Sequence, residues 1–125
     1  MFKHIKDVTT LSVDELEKLA TKGHKEAKKE LARRLIEGEG TDKNEAKAVQ
    51  LLEKCVTLGD PDSKLMLAKC CALGHGLDQN AERSEVLLKE SAKEGNKDAQ
   101  SLVQLMTECK DKTKADFSSL LKITK

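Results

Sequence analysis

Leucine and alanine recur along this chain at helical intervals, and the intervals themselves recur. Ala27, Leu31 and Leu35 step by four residues, which puts them on one stripe of a helix. Ala48, Leu51, Leu52, Cys55 and Val56 make a second stripe, and Leu87, Leu88, Ser91 and Ala92 a third. A shift of 36 residues superposes these patterns: Leu16, Leu52 and Leu88 fall in one column, Ala20, Val56 and Ala92 in another, and Leu31, Leu67 and Val103 in a third. A column of small residues, Ala27, Ser63 and Ala99, marks a place where two helices approach closely. All seven glycines sit on the same lattice, as Gly23, Gly59 and Gly95, Gly38 and Gly74, and Gly40 and Gly76. A fixed period of this length is the mark of a stacked-repeat architecture.

Each unit therefore predicts a first helix (A), a Gly-x-Gly loop, a second helix (B) and a closing glycine. Gly-Glu-Gly at 38–40 and Gly-His-Gly at 74–76 end helix A, where a left-handed residue is needed. Asn44 and Asn80, or residues beside them, stand where helix B needs a cap, and Asp60-Pro61 opens the second helix A with an acidic cap and a proline in the first turn. Ser12-Val13-Asp14-Glu15 is a capping box that starts a lone B-type half-unit. The full units run over about 23–58 and 59–94, followed by a partial third unit at 95–109. There Lys110-Asp111-Lys112 replaces the Gly-x-Gly, and Phe117, Leu120 and Leu121 predict a C-terminal cap helix over about 114–124. Residues 1–11 read as a flexible lead-in and 12–125 as the repeat domain. The expected fold is all-α, a short α-α solenoid of about two full units with capping half-units.

Composition sharpens this picture. Aromatic residues make up 2% of the 125 residues, with Phe2 and Phe117 the only ones, so close Leu/Ala helix packing has to supply the core. Charged residues are 36% of the chain, 23 basic against 22 acidic. Such a balance fits solvated helix faces and argues against a nucleic-acid partner. No apolar run reaches the length of a membrane span, and the first residues show no apolar segment of a secretory signal. Four cysteines without a CxxC spacing then read as reduced thiols in a cytoplasmic protein.

The pattern resembles the Sel1-like repeat family, whose units show G-x3-A-x3-LG-x2-Y-x2-G-x-G followed by a second helix and a closing glycine. Gly23, Ala27, Leu31, Ala32, Leu35, Gly38, Gly40, Ala48, Cys55, Val56 and Gly59 match in the first unit. Gly59, Ser63, Leu67, Ala68, Cys71, Gly74, Gly76, Ser84, Ser91, Ala92 and Gly95 match in the second. Leu35 and Cys71 stand in place of the family's tyrosine, and Leu31-Ala32 and Leu67-Ala68 in place of its Leu-Gly. The resemblance implies a tetratricopeptide-like helical repeat that binds other proteins. One branch of the family is secreted, carries a disulfide between cysteines eight residues apart in each repeat, and is linked to β-lactam binding. Here the residue eight past Cys55 is Ser63, so that branch and its hydrolase-like activity fit poorly.

No constellation for catalysis accompanies the lattice. His4, His24 and His75 show no triad-like spacing, GEGTDK lacks the lysine-hydroxyl end of a phosphate loop, and adjacent Cys70 and Cys71 diverge on a helix rather than chelate. No cofactor, metal or catalytic residue is expected, and the chain reads as a non-enzyme. What remains is a surface: A helices usually line the concave, partner-binding side of a stacked array. Lys28, Lys29, Arg33, Lys64, Leu65, Lys69, Gln100, Ser101 and Leu105 lie away from the Ala27/Leu31/Leu35 stripe, a set suited to an acidic peptide or protein. The competing view is an ordinary solvated face. The leading expectation is an adaptor or scaffold with no nucleic acid or membrane partner, with room for end-to-end self-association. The alternative is a regulatory repeat region associated with a signalling enzyme such as a kinase.

Overall fold

The computed structural model describes residues 7–110. They form a 3₁₀ turn, Val8–Thr10, and six helices: α1 (Val13–Thr21), α2 (Lys25–Glu37), α3 (Glu45–Thr57), α4 (Pro61–Leu73), α5 (Ala81–Lys93) and α6 (Lys97–Lys110). No strand occurs among the described residues. Each helix packs against the next in sequence, so the chain is a solenoid of alternating B and A helices that starts with the half-unit α1. The expected cap helix at 114–124 lies outside the described residues, as do residues 1–6.

Local chemistry sets the helix boundaries. The capping box closes at the start of α1, with the Ser12 hydroxyl accepting from the Glu15 amide and the Glu15 carboxylate accepting from the Ser12 amide. Asn44 and Asn80 cap α3 and α5 as anticipated. The A helices share a capping column, because His24 Nδ1, Asp60 Oδ2 and Asn96 Oδ1 each accept from the amide three residues on, at 3.2, 2.8 and 2.8 Å. Asp60 alone of these three was legible as a cap. Left-handed Gly38 and Gly74 close α2 and α4.

The lattice columns become the core. Leu16, Leu52 and Leu88 are fully buried, as are Ala27, Ser63 and Ala99. At roughly 1.5–3 kcal/mol per buried leucine, such columns carry much of the stability. Within α5, buried Ser84 and Ser91 donate to the Ala68 and Pro61 carbonyls of α4 at 2.6 Å, so hydroxyls take the places of Ala48 and Cys55 without an unpaired group. Other columns depart from the pattern, and Val56 and Ala92 are only half-buried where Ala20 is buried. Leu31 and Leu67 are buried, yet Val103 is only half-buried and its neighbour Leu102 takes the inner place. The columns Ala32/Ala68 and Leu35/Cys71, buried in α2 and α4, hold exposed Gln104 and Thr107 in α6. Gln104 Nε2 donates to Glu108 Oε1 along that polar face.

Residues 7–11 of the lead-in are tied to α2. Buried Arg34 donates to the Thr9 carbonyl at 2.7 Å and to the Leu11 carbonyl at 2.6 Å, while Glu30 accepts from its Nε at 3.0 Å. Thr9 and Leu11 stand 36 residues before Glu45 and Lys47, so this turn occupies the place of the first turn of α3.

The Gly-x-Gly of the second unit lies hard against the start of α3. A β-carbon on Gly76 would collide with the Glu45 carbonyl and come within 2.9 Å of a Val49 methyl, and its φ is +81°. Gly59 also has a left-handed φ, +83°, but faces open space. Gly59→Ala is expected to cost about 1–2 kcal/mol for the backbone alone. Gly76→Ala should cost clearly more in urea unfolding, because backbone has to move as well.

Candidate binding surface

α4 is flanked by α3 and α5, so most of its circumference is buried. Its accessible side is one stripe, Asp62, Met66, Lys69 and Leu73, spaced at helical intervals. α2 contributes Lys29, Arg33 and Glu37 to the same face, and α6 contributes exposed Ser101 and Leu105, the latter 38% accessible. This A-helix face is mixed in charge, with half-exposed apolar groups in its middle.

Most of the basic residues expected to receive a partner are already paired. Lys29 Nζ lies 3.1 Å from Glu26, 3.3 Å from Asp62 and 3.4 Å from Asp60. Burial alone would lower its pKa, but those three carboxylates together raise it. Arg33 is held by Glu30 and Glu37 at 2.7 Å and by Glu39 at 3.1 Å. Lys64 is 2.6 Å from Glu94 and 3.5 Å from Glu90, and the hydrogen bond to Glu94 pushes its pKa up. Leu65, expected on the outer face, is instead buried at 6% exposure because α4 is covered from both sides. Gln100 is exposed and donates from Nε2 to the Ala92 carbonyl at 2.9 Å. Lys69 is half-buried within the stripe. Lys28 is half-buried and makes no ion pair among the described residues. The nine residues therefore do not form one basic seat.

The remaining chemistry is structural. His24 is a helix cap, and His75 Nδ1 sits 2.7 Å from Glu45 Oε2, joining the Gly-x-Gly loop to α3. His4 lies outside the described residues. Cys55, Cys70 and Cys71 are buried free thiols, and burial pushes the Cys70 thiol up to about 12, far from a reactive thiolate. No group of three metal-ligating side chains occurs among the described residues. No helix among them is long and apolar enough to cross a membrane. Two exposed residues outside the A helices, Lys54 and Leu58, add to this surface chemistry. Their signal is a break in the columns, since Glu90 and Glu94 stand one unit later.

No family model matches the chain, and no curated protein matches its sequence. Solved structures do match it. A Sel1 repeat protein from Oxalobacter formigenes superposes with a TM-score of 0.68 at 23% identity, over 74% of this chain and 69% of that one. The protective antigen c5321 of uropathogenic Escherichia coli, described as displaying an SLR fold, gives 0.69 at 27% identity. That match covers 88% of this chain but 24% of the antigen, so the chain spans about a quarter of its length. Helicobacter pylori cysteine rich protein B gives 0.65 at 22% identity, over 72% of this chain and 68% of that one. The chain thus has the fold of the Sel1-like repeat proteins that its glycine lattice resembles.

Acid should weaken the fold through two carboxylates of this region. Burial would raise the Asp60 pKa, but the Ser63 hydroxyl and amide and the Lys29 ammonium outweigh it, and the carboxyl sits below its ordinary 3.8. Bonds from Arg33, and then Arg34, likewise hold Glu30 below 4.5. Both pKa values are depressed by folding, so the stability they contribute is present above the unfolded values and is lost as pH falls below about 4.5. Urea midpoints are expected to drop through that range, and Asp60→Asn, which keeps a cap oxygen, should make the drop shallower.

Proposed function

We propose that this chain is a non-catalytic protein-interaction module, an adaptor or scaffold of the cytoplasm that presents its A-helix face to a protein or peptide. The observation that carries the reading is the α4 stripe. In a helix otherwise sealed by its neighbours, Met66, Lys69 and Leu73 stay accessible beside exposed Ser101 and Leu105. Half-exposed apolar groups framed by charge are what a protein partner covers at the centre of an interface. The buried thiols, the capping histidine and the loop histidine held by Glu45 are each accounted for by the fold, which supports a binding role over an enzymatic one. The fold relatives support a repeat module in general, and the choice of partner rests on this surface.

The ion pairs change the chemistry of the expected partner. Lys29, Arg33 and Lys64 are committed within the chain, so attraction between whole charges contributes little on this face. Recognition here rests on apolar contact with the stripe, and a peptide with spaced apolar side chains fits better than a purely acidic one. A photo-crosslinking residue at position 105 is expected to capture partner protein in cells. The same residue at position 86, where Val86 is 55% exposed on α5, should capture none. Equal capture from both positions, or none from 105, would sink the proposal.

A further inference from the structure

The second unit supplies an ion pair where the first leaves a gap. On α4, Lys64 is held 2.6 Å from Glu94 and 3.5 Å from Glu90, both near the end of α5. One unit earlier, the same three columns hold Lys28, Leu58 and Lys54. The lattice therefore sets Lys28 against a second ammonium and a leucine instead of two carboxylates. Backbone does not explain the difference, because Leu58 caps α3 just as Glu94 caps α5. Lys28 is half-buried and Lys54 exposed, and neither makes an ion pair among the described residues. Leu58 is 63% accessible, more than Val86 or Leu105, the other two exposed large hydrophobics among the described residues.

We propose that Lys28, Lys54 and Leu58 bind an acidic segment of a partner protein. Its carboxylates take the places that Glu90 and Glu94 hold in the second unit, and an apolar side chain beside them covers Leu58. Two ammonium groups in the columns of an ion pair repel each other, so an arriving carboxylate relieves a conflict as well as forming a bond. The carbonyl end of α3 offers partial negative charge, which steadies the lysines until the partner arrives. The leucine selects the class of ligand: a phosphate backbone would satisfy the lysines but leave Leu58 in water, whereas a peptide covers all three. The site lies at the closing-glycine edge of the first unit, apart from the α4 stripe, and stands independently of the reading above.

The test is a rebuilt repeat. Lys54→Glu with Leu58→Glu places in the first unit the acidic pair of the second, so Lys28 becomes paired within the chain. The intact chain is titrated with a fluorescent peptide of alternating glutamate and leucine. Saturable binding is expected, with amide shifts at residues 28, 54 and 58, and affinity at least ten-fold weaker in the double variant at an unchanged or higher melting temperature. If the double variant melts lower, Lys28→Gln with Lys54→Gln takes its place and the same ten-fold loss is required. Absence of binding, equal binding by the variant, shifts confined to residues 101 and 105, or equal affinity for an oligonucleotide of matching charge would each overturn the proposal.

Discussion

A helix of thirteen residues with the composition of α2, dense in lysine, arginine and glutamate, does not hold its shape alone in water. Nucleation costs more than a few turns return, and every full helix of this array is close to that length. Stability has to come from the faces where successive helices meet. That requirement explains the spacing of the chain. Leu16, Leu52 and Leu88 fill equivalent places between helices, and Ala27, Ser63 and Ala99 are small so that neighbouring backbones come close. The Gly-x-Gly loop belongs to the same constraint, because at Gly76 the chain passes against the first turn of α3 with no space for a methyl.

Charge is organised around this packing. Ion pairs join residues 30 apart: Glu17 with Lys47, Glu53 with Arg83, and Lys64 with Glu94. The first two link successive B helices in equivalent columns, so the lattice repeats on the surface as well as in the core. Where the repeat lacks a neighbour, a different solution appears. Arg34 occupies the column of Cys70 and reaches out to hold the carbonyls of residues 9 and 11, with Glu30 balancing its charge. A buried guanidinium satisfied in this way fixes one geometry at the cost of desolvation, which a hydrophobic side chain would have avoided.

The order of helices, their caps at Asn44, Asp60 and Asn80, and the fully buried columns were legible because each depends on a local rule repeated at a fixed interval. Leu65 was misplaced outward because its burial depends on α4 being covered by both α3 and α5, which no window of the sequence contains. The choice of Leu102 over Val103 for the inner position of α6 is hidden for a similar reason. Among the candidate binding residues, type and helix face were readable but partners were not. Lys29 looks free until Asp60 and Asp62 are folded against it from 31 and 33 residues away. The acids missing opposite Lys28 stand out only against Glu90 and Glu94, one unit later in the same columns.

The three described thiols have a consequence for dynamics. Cys55 lies in α3, and Cys70 and Cys71 lie side by side in α4, all at 3% exposure or less. A reagent in solution reaches them only when a helix lifts from its neighbours. Their rate of chemical labelling therefore measures the free energy of opening for two adjacent layers of the array. If Cys55 labels at the pace of Cys70, the two layers come apart as one cooperative unit; different paces would mean that the solenoid unzips layer by layer, as its nearest-neighbour construction permits. Side chains that serve only as small apolar fillers thus double as built-in clocks for the cooperativity of the whole chain.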